Sequence, residues 1–97
     1  ISCELIDLRT IRPLDMHTIL DSVKKTNRLV ILEESWPFGN ISTEITYQVQ
    51  SQAFDYLDAP VQKINTADTP APYSPILLQE WLPNHEDVVR AVKKVMN

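Results

Sequence analysis

The sequence predicts one α/β domain over residues 1–97, three layers deep (α/β/α), with a mostly parallel sheet at its centre. Three features carry that expectation. The run Leu29-Val30-Ile31-Leu32 is apolar throughout and too short for a typical helix, which suits a strand covered on both faces. Segments with helical spacing precede and follow it. Strand, helix and strand in succession form the βαβ unit, whose strands run parallel and whose crossover is right-handed.

Taken from the first residue, Glu4-Leu5-Ile6-Asp7-Leu8 reads as a first strand. Arg9 to Pro13 reads as an extended connector, because the residue before a proline avoids the helical region. Leu14-Asp15 opens a helix in which Met16, Ile19, Leu20 and Val23 fall at i, i+3, i+4 and i+7 on one face. Asp15 at its start and Lys24-Lys25 at its end suit the helix dipole, and Thr26-Asn27 ends it. The Leu29–Leu32 strand follows and reads as the middle of the sheet. Glu33-Glu34 stops the apolar run, and Pro37 and Gly39 turn the chain.

Ile41 to Gln50 carries two periods at once. Ile41, Thr43, Ile45, Tyr47 and Val49 alternate with polar residues and are rich in β-branching, which favours a strand. Ile41, Ile45, Val49 and Ala53 also form a helical stripe in steps of four. A parallel neighbour needs a crossover of roughly a dozen residues, so the segment is assigned to a helix from Ile41 to Ala53, capped by Asn40 or Ser42. Phe54 to Pro60 reads as a connector with aromatic anchors. Val61 to Asn65 reads as a third strand, half polar and near an edge. Thr66 to Pro75 is a Pro-rich irregular loop, stiff enough to line or dock rather than to link. Ile76 to Trp81 suits a short helical turn. Asn84 caps a last helix, with Asp87 at N3 in a box-like arrangement, a stripe of Val88, Ala91, Val92 and Val95, and Lys93-Lys94 at its end.

Composition excludes several classes. A net charge of −4 argues against a nucleic-acid partner, which wants a basic footprint. No apolar run approaches the ~20 residues that span a bilayer. Cys3 is the only cysteine, so no internal disulfide forms and a reducing compartment is the simplest reading. One Gly beside seven Pro leaves no Gly-rich phosphate loop. Ile1-Ser2-Cys3-Glu4 has neither Met nor a basic n-region, so the chain reads as a fragment or a trimmed product without a signal peptide.

Residue chemistry alone does not name a reaction. Glu33 and Glu34 are adjacent on a strand and point to opposite faces, so they do not share a substrate; meeting a loop amide or a basic partner suits them better. His17 and His85 lie far apart, and with one Cys they give no metal-ligand spacing. Cys3 reads as a small buried hydrophobe. Trp36 and Trp81 suit lids over the core, with interface anchors as the alternative. Asp58 and Asp68 flank the third strand as solvated turn residues or as partner contacts. Arg9 and Arg12 suit surface ion pairs, with an anionic ligand as the alternative.

Five stretches, in order along the chain, carry a resemblance. They are Ile6 to Asp15, Val23 to Val30, Glu33 to Pro37, Phe54 to Pro60 and Ala67 to Tyr73, and together they closely resemble the pyruvate dehydrogenase E1 β-subunit family from end to end. Leu57-Asp58-Ala59-Pro60 and Pro72-Tyr73 resemble the pyruvate enzymes more than the branched-chain 2-oxo acid enzymes, where Glu and His are expected at the matching places. Asn40 and Ser42 stand where that family usually has glycines. The resemblance implies a transketolase C-terminal-type fold, here a partial domain over 1–97 that lacks the domain's first strand and helix. It implies a piece of a thiamine-diphosphate- and Mg²⁺-dependent enzyme that decarboxylates pyruvate and passes the acetyl group to a lipoyl arm on the acyltransferase E2. None of the catalytic, cofactor or metal residues is expected in this chain, and the piece alone should be inactive. The implied partners are the E1 α subunit, a second E1 β subunit and the peripheral subunit-binding domain of E2. The implied place is a bacterial cytoplasm or a mitochondrial matrix. Asp58 carries over as the E2-docking residue, with Asn97 at the end of the last helix as a second candidate. The rivals are a branched-chain E1 β subunit, another thiamine-dependent enzyme such as a transketolase, and a free-standing flavodoxin-like binding module, which would need its own anion-binding loop.

Overall fold

The computed structural model describes all of residues 1–97. In chain order its elements are α1 (Met16–Thr26), β1 (Val30–Leu32), α2 (Ile41–Ala53), a 3₁₀ turn (Phe54–Tyr56), β2 (Gln62–Ile64), α3 (Pro75–Trp81) and α4 (His85–Met96). The helix ends follow the expected chemistry. Asp15 caps α1 by accepting the Thr18 amide (3.1 Å) and hydroxyl (2.6 Å). Asn27 closes α1 in the left-handed region (φ 66°), which asparagine tolerates, and its amide bonds Val23 O at 2.7 Å. Asn84 and Asp87 form the reciprocal capping box of α4, each bond 3.0 Å.

β1 and β2 run parallel, with Val30 opposite Gln62, Ile31 opposite Lys63 and Leu32 opposite Ile64. One further bond at each end extends the ladder: Gln62 N to Leu29 O (3.2 Å) and Glu33 N to Ile64 O (3.0 Å). Alternation along the strands assigns the two faces. Ile31 joins Ile19, Val23, Ile45, Val49 and Ala53 in the main core under α1 and α2. Lys63, on that same face, reaches the Thr43 hydroxyl of α2 (3.0 Å). Ile64 points to the other face, which α4 covers, and both Ile64 and Val95 are buried. The sheet thus lies between two helical layers.

α2 settles the conflict of periods in favour of the helix. Ile45, Val49 and Ala53 are buried on one line, whereas Tyr47, which a period-two strand would place beside Ile45 and Val49, is exposed. Burying an aliphatic side chain such as Ile45 or Val49 stabilises by about 1.5–3 kcal/mol; either period would set these residues on one face, and the exposure of Tyr47 is what marks the helix.

Three expectations are corrected. Glu4–Leu8 is not a strand, and the sheet has two strands, so β1 is paired on one side and is not its middle. A strand is held by a ladder, and this segment has no neighbour to bond. It lies instead beside the end of α1, where Glu4 pairs with Lys25, and only Leu8 packs on the core. Arg9, at φ 62°, then turns the chain, with its amide bonded to the Asp7 carboxylate (3.1 Å). Cys3 is exposed rather than buried, because it belongs to this unpaired segment.

Candidate docking surface

Three segments meet at the end of the sheet where both strands begin: the α1–β1 turn, the connector before β2 and the last turn of α4. Asn27 organises them. Its left-handed cap conformation lets its side-chain amide donate to Tyr56 O (2.8 Å), while its own carbonyl accepts the Asp58 amide (2.8 Å). The Lys24 ammonium lies 5.6 Å from the centre of the Tyr56 ring, within cation–π range. Asp58 therefore has a fixed backbone.

Arg28, the next residue, is half-buried and reaches two ways. Its Nε donates to Val95 O (2.8 Å), in the last turn of α4. Its guanidinium also stands 3.7 Å from the Asp58 carboxylate. That spacing is an ion pair and not a hydrogen bond, so the Asp58 side chain, 57% exposed, keeps most of its acceptor capacity free. At such exposure the pair itself contributes only about 0–1 kcal/mol. Asp58 and the end of α4, which runs into Asn97, are thus brought to one side chain although they lie far apart in sequence. A fixed, solvent-facing carboxylate beside a helix C-terminus is suited to receive a cationic surface.

The other candidates fall elsewhere. Glu33 is half-buried and Glu34 exposed, and both lie beyond the last residue of β1 rather than on the strand. Glu33 accepts the Ser42 hydroxyl (2.5 Å) and amide (3.2 Å) and the Asn65 side chain (2.7 Å), so it holds the start of α2. Asn40, at the N-cap position, makes no side-chain bond to the helix. His17 pairs with Asp21 (3.2 Å) on the exposed face of α1, and His85 is exposed. No three His, Cys, Asp or Glu side chains converge. Together with the single Gly39, that set does not fit a Mg²⁺–diphosphate group. Arg9 pairs with Asp7 (3.3 Å); Arg12 and Asp68 are exposed and make no ion pair.

The opposite end of the sheet, where the strands finish, has a different character. The indoles of Trp36 and Trp81 both donate to Thr69 O (2.7 and 2.8 Å), pinning the Pro-rich loop. Around them Phe38, Tyr73, Ile76 and Leu77 are exposed. Asp58 and the end of α4 were named from the resemblance; Arg28 was not, and Asn27 was read only as the end of α1. Asn27 as a C-cap was the one visible signal.

Residues 1–88 match the family described as transketolase, C-terminal domain. The pyruvate dehydrogenase E1 component subunit beta of Rickettsia conorii is 54% identical over 95 residues, covering 98% of this chain and 29% of that protein. The corresponding subunit of Rhizobium meliloti is 54% identical over 98% of this chain and 21% of its own length. The mitochondrial subunit of Saccharomyces cerevisiae is 46% identical over 100% of this chain and 27% of its own. The chain spans less than a third of the length of these curated relatives.

Proposed function

The chain belongs to the transketolase C-terminal domain family, and from that premise we propose that it is the C-terminal part of a pyruvate dehydrogenase E1 β subunit, acting in assembly and in docking of E2. The complete enzyme oxidatively decarboxylates pyruvate and transfers the acetyl group to lipoyl-E2. Thiamine diphosphate with Mg²⁺ supplies the decarboxylation chemistry there, on residues outside this chain. The apolar end of the sheet, with Phe38, Tyr73, Ile76 and Leu77 exposed, suits packing against the E1 α subunit and the second β subunit. The charged end suits the basic peripheral subunit-binding domain of E2. The place of action is a bacterial cytoplasm or a mitochondrial matrix, in keeping with the bacterial and mitochondrial relatives. No helix is long and apolar enough to cross a membrane.

The observation that carries the docking role is the exposed Asp58 carboxylate on a backbone fixed by Asn27. Charge complementarity at such a group speeds association and adds affinity where the partner desolvates it. In assembled E1, Asp58→Ala should weaken binding of the E2 binding domain by about tenfold at low salt, and less at high salt. Asp68→Ala, the same change on an exposed loop at the other end of the sheet, should stay within about twofold. Equal affinity for wild type and Asp58→Ala at low salt would rule the role out.

A further inference from the structure

We infer that Arg28 is the positioning residue that makes Asp58 and the last turn of α4 a single docking site. The inference rests on the docking reading above. Arg28 is the only side chain bonded to the end of α4 and paired with Asp58: Nε donates to Val95 O at 2.8 Å, and the guanidinium stands 3.7 Å from the carboxylate. Its own position is set from below. Its carbonyl accepts the Thr26 hydroxyl (3.2 Å), and it sits between the Asn27 cap and the first ladder bond at Leu29. The guanidinium spreads its donors over three nitrogens in a rigid fork, so Nε faces Val95 O while Nη1 faces the Asp58 carboxylate; a lysine ammonium's three donors share one atom on a flexible stem. Without this tie the last turn of α4 and Asp58 lose their common neighbour, and the Asp58 side chain loses the contact that limits its rotamers.

The sign of the effect separates positioning from simple charge. Arg28 is a cation beside the acidic group that is to receive a cationic partner. On charge alone, its removal should tighten binding. On the positioning account, removal weakens binding, because two contacts that were held in register become independent.

The test uses full-length E1 assembled with its α subunit and the E2 peripheral subunit-binding domain as probe, with Arg28→Gln, Arg28→Lys, Asp58→Ala and the double variant Arg28→Gln/Asp58→Ala. Arg28→Gln and Arg28→Lys are each expected to weaken binding by about tenfold, so that restoring the charge alone gives no rescue. In the Asp58→Ala background, Arg28→Gln should add less than about twofold, the mark of two residues acting as one unit. Binding as tight as wild type or tighter in either Arg28 variant overturns the inference, as does full additivity of the two losses. If Arg28→Gln fails to assemble, Arg28→Lys, which keeps the charge and most of the packing, decides the question. Loss with the Arg28 variants but none with Asp58→Ala removes the docking reading itself. Loss with Asp58→Ala but none with the Arg28 variants removes only this inference.

Discussion

Glu33→Ala removes the group that holds the front of α2 to the end of β1. The Glu33 carboxylate accepts the Ser42 hydroxyl (2.5 Å), the Ser42 amide (3.2 Å) and the Asn65 side-chain amide (2.7 Å). Ser42 is 0% exposed, and no other side chain caps the helix. A negative charge at a helix N-terminus contributes about 0.3–1 kcal/mol. Hydrogen bonds to a charged group contribute about 1.5–3 kcal/mol each, and a buried donor left without a partner costs about 1–3 kcal/mol. These terms share atoms and do not add, so about 3 kcal/mol is the expected loss. In a chain of this size ~1 kcal/mol moves Tm by about 4–8 °C, so Tm should fall by about 12–24 °C. Glu33→Gln keeps an acceptor and loses the charge, and should cost about half as much. Thermal unfolding by far-UV circular dichroism, with hydrogen exchange read at the Ser42 amide, measures both the global and the local effect. A Tm within about 2 °C of wild type, with unchanged exchange at Ser42, would refute the reasoning.

Two further outcomes follow from the helix ends and the exposed carboxylates. Asn84→Ala breaks the capping box of α4 and should cost about 1 kcal/mol, seen as a Tm lower by about 4–8 °C and faster exchange at Asp87 N, with no change expected at Ser42. Both Glu4 and Asp15 titrate below the usual carboxylate range, Glu4 through its hydrogen bonds to Lys25 and then Ser22, and Asp15 through the Thr18 hydroxyl and then its amide. A carboxyl lowered on folding adds stability that is complete above its unfolded pKa, about 4, and is lost as pH falls through the folded value. Stability should therefore decline with acidification below about pH 5, and Thr18→Ala should bring the Asp15 titration, followed by NMR, back up toward its ordinary range. An Asp15 midpoint unmoved by that substitution would contradict the assignment.

Local chemistry made the helices legible. Asn84 and Asp87 declared the cap of α4, Asp15 marked the start of α1, and the spacing of Ile19 and Val23 declared its buried face. α2 was legible only through topology, because its residues fit both periods and the need for a crossover decided between them. Glu4–Leu8 has the composition of a strand, but a strand exists only with a neighbour in hydrogen-bonding register, and local sequence does not contain the neighbour. The misplacement of Cys3 came from the same source. At the candidate docking surface, Asp58 was legible as a loop carboxylate, and its role came from the resemblance. Arg28 was not, because its partner on α4 lies 67 residues away, and Asn27 reaches a carbonyl 29 residues away. Glu33 was expected to meet a loop amide or a basic partner; it meets the Ser42 amide of α2, because that helix folds back over the strand's end.

Hydrogen exchange on assembled E1, with and without the E2 peripheral subunit-binding domain, tests the docking account most directly. Slower exchange is expected together in the Tyr56–Val61 connector and in the last turn of α4, with Asn27 to Leu29 between them, and the exposed apolar end around Phe38 and Tyr73 should not change. Protection confined to that apolar end, with the surroundings of Asp58 untouched, would contradict it.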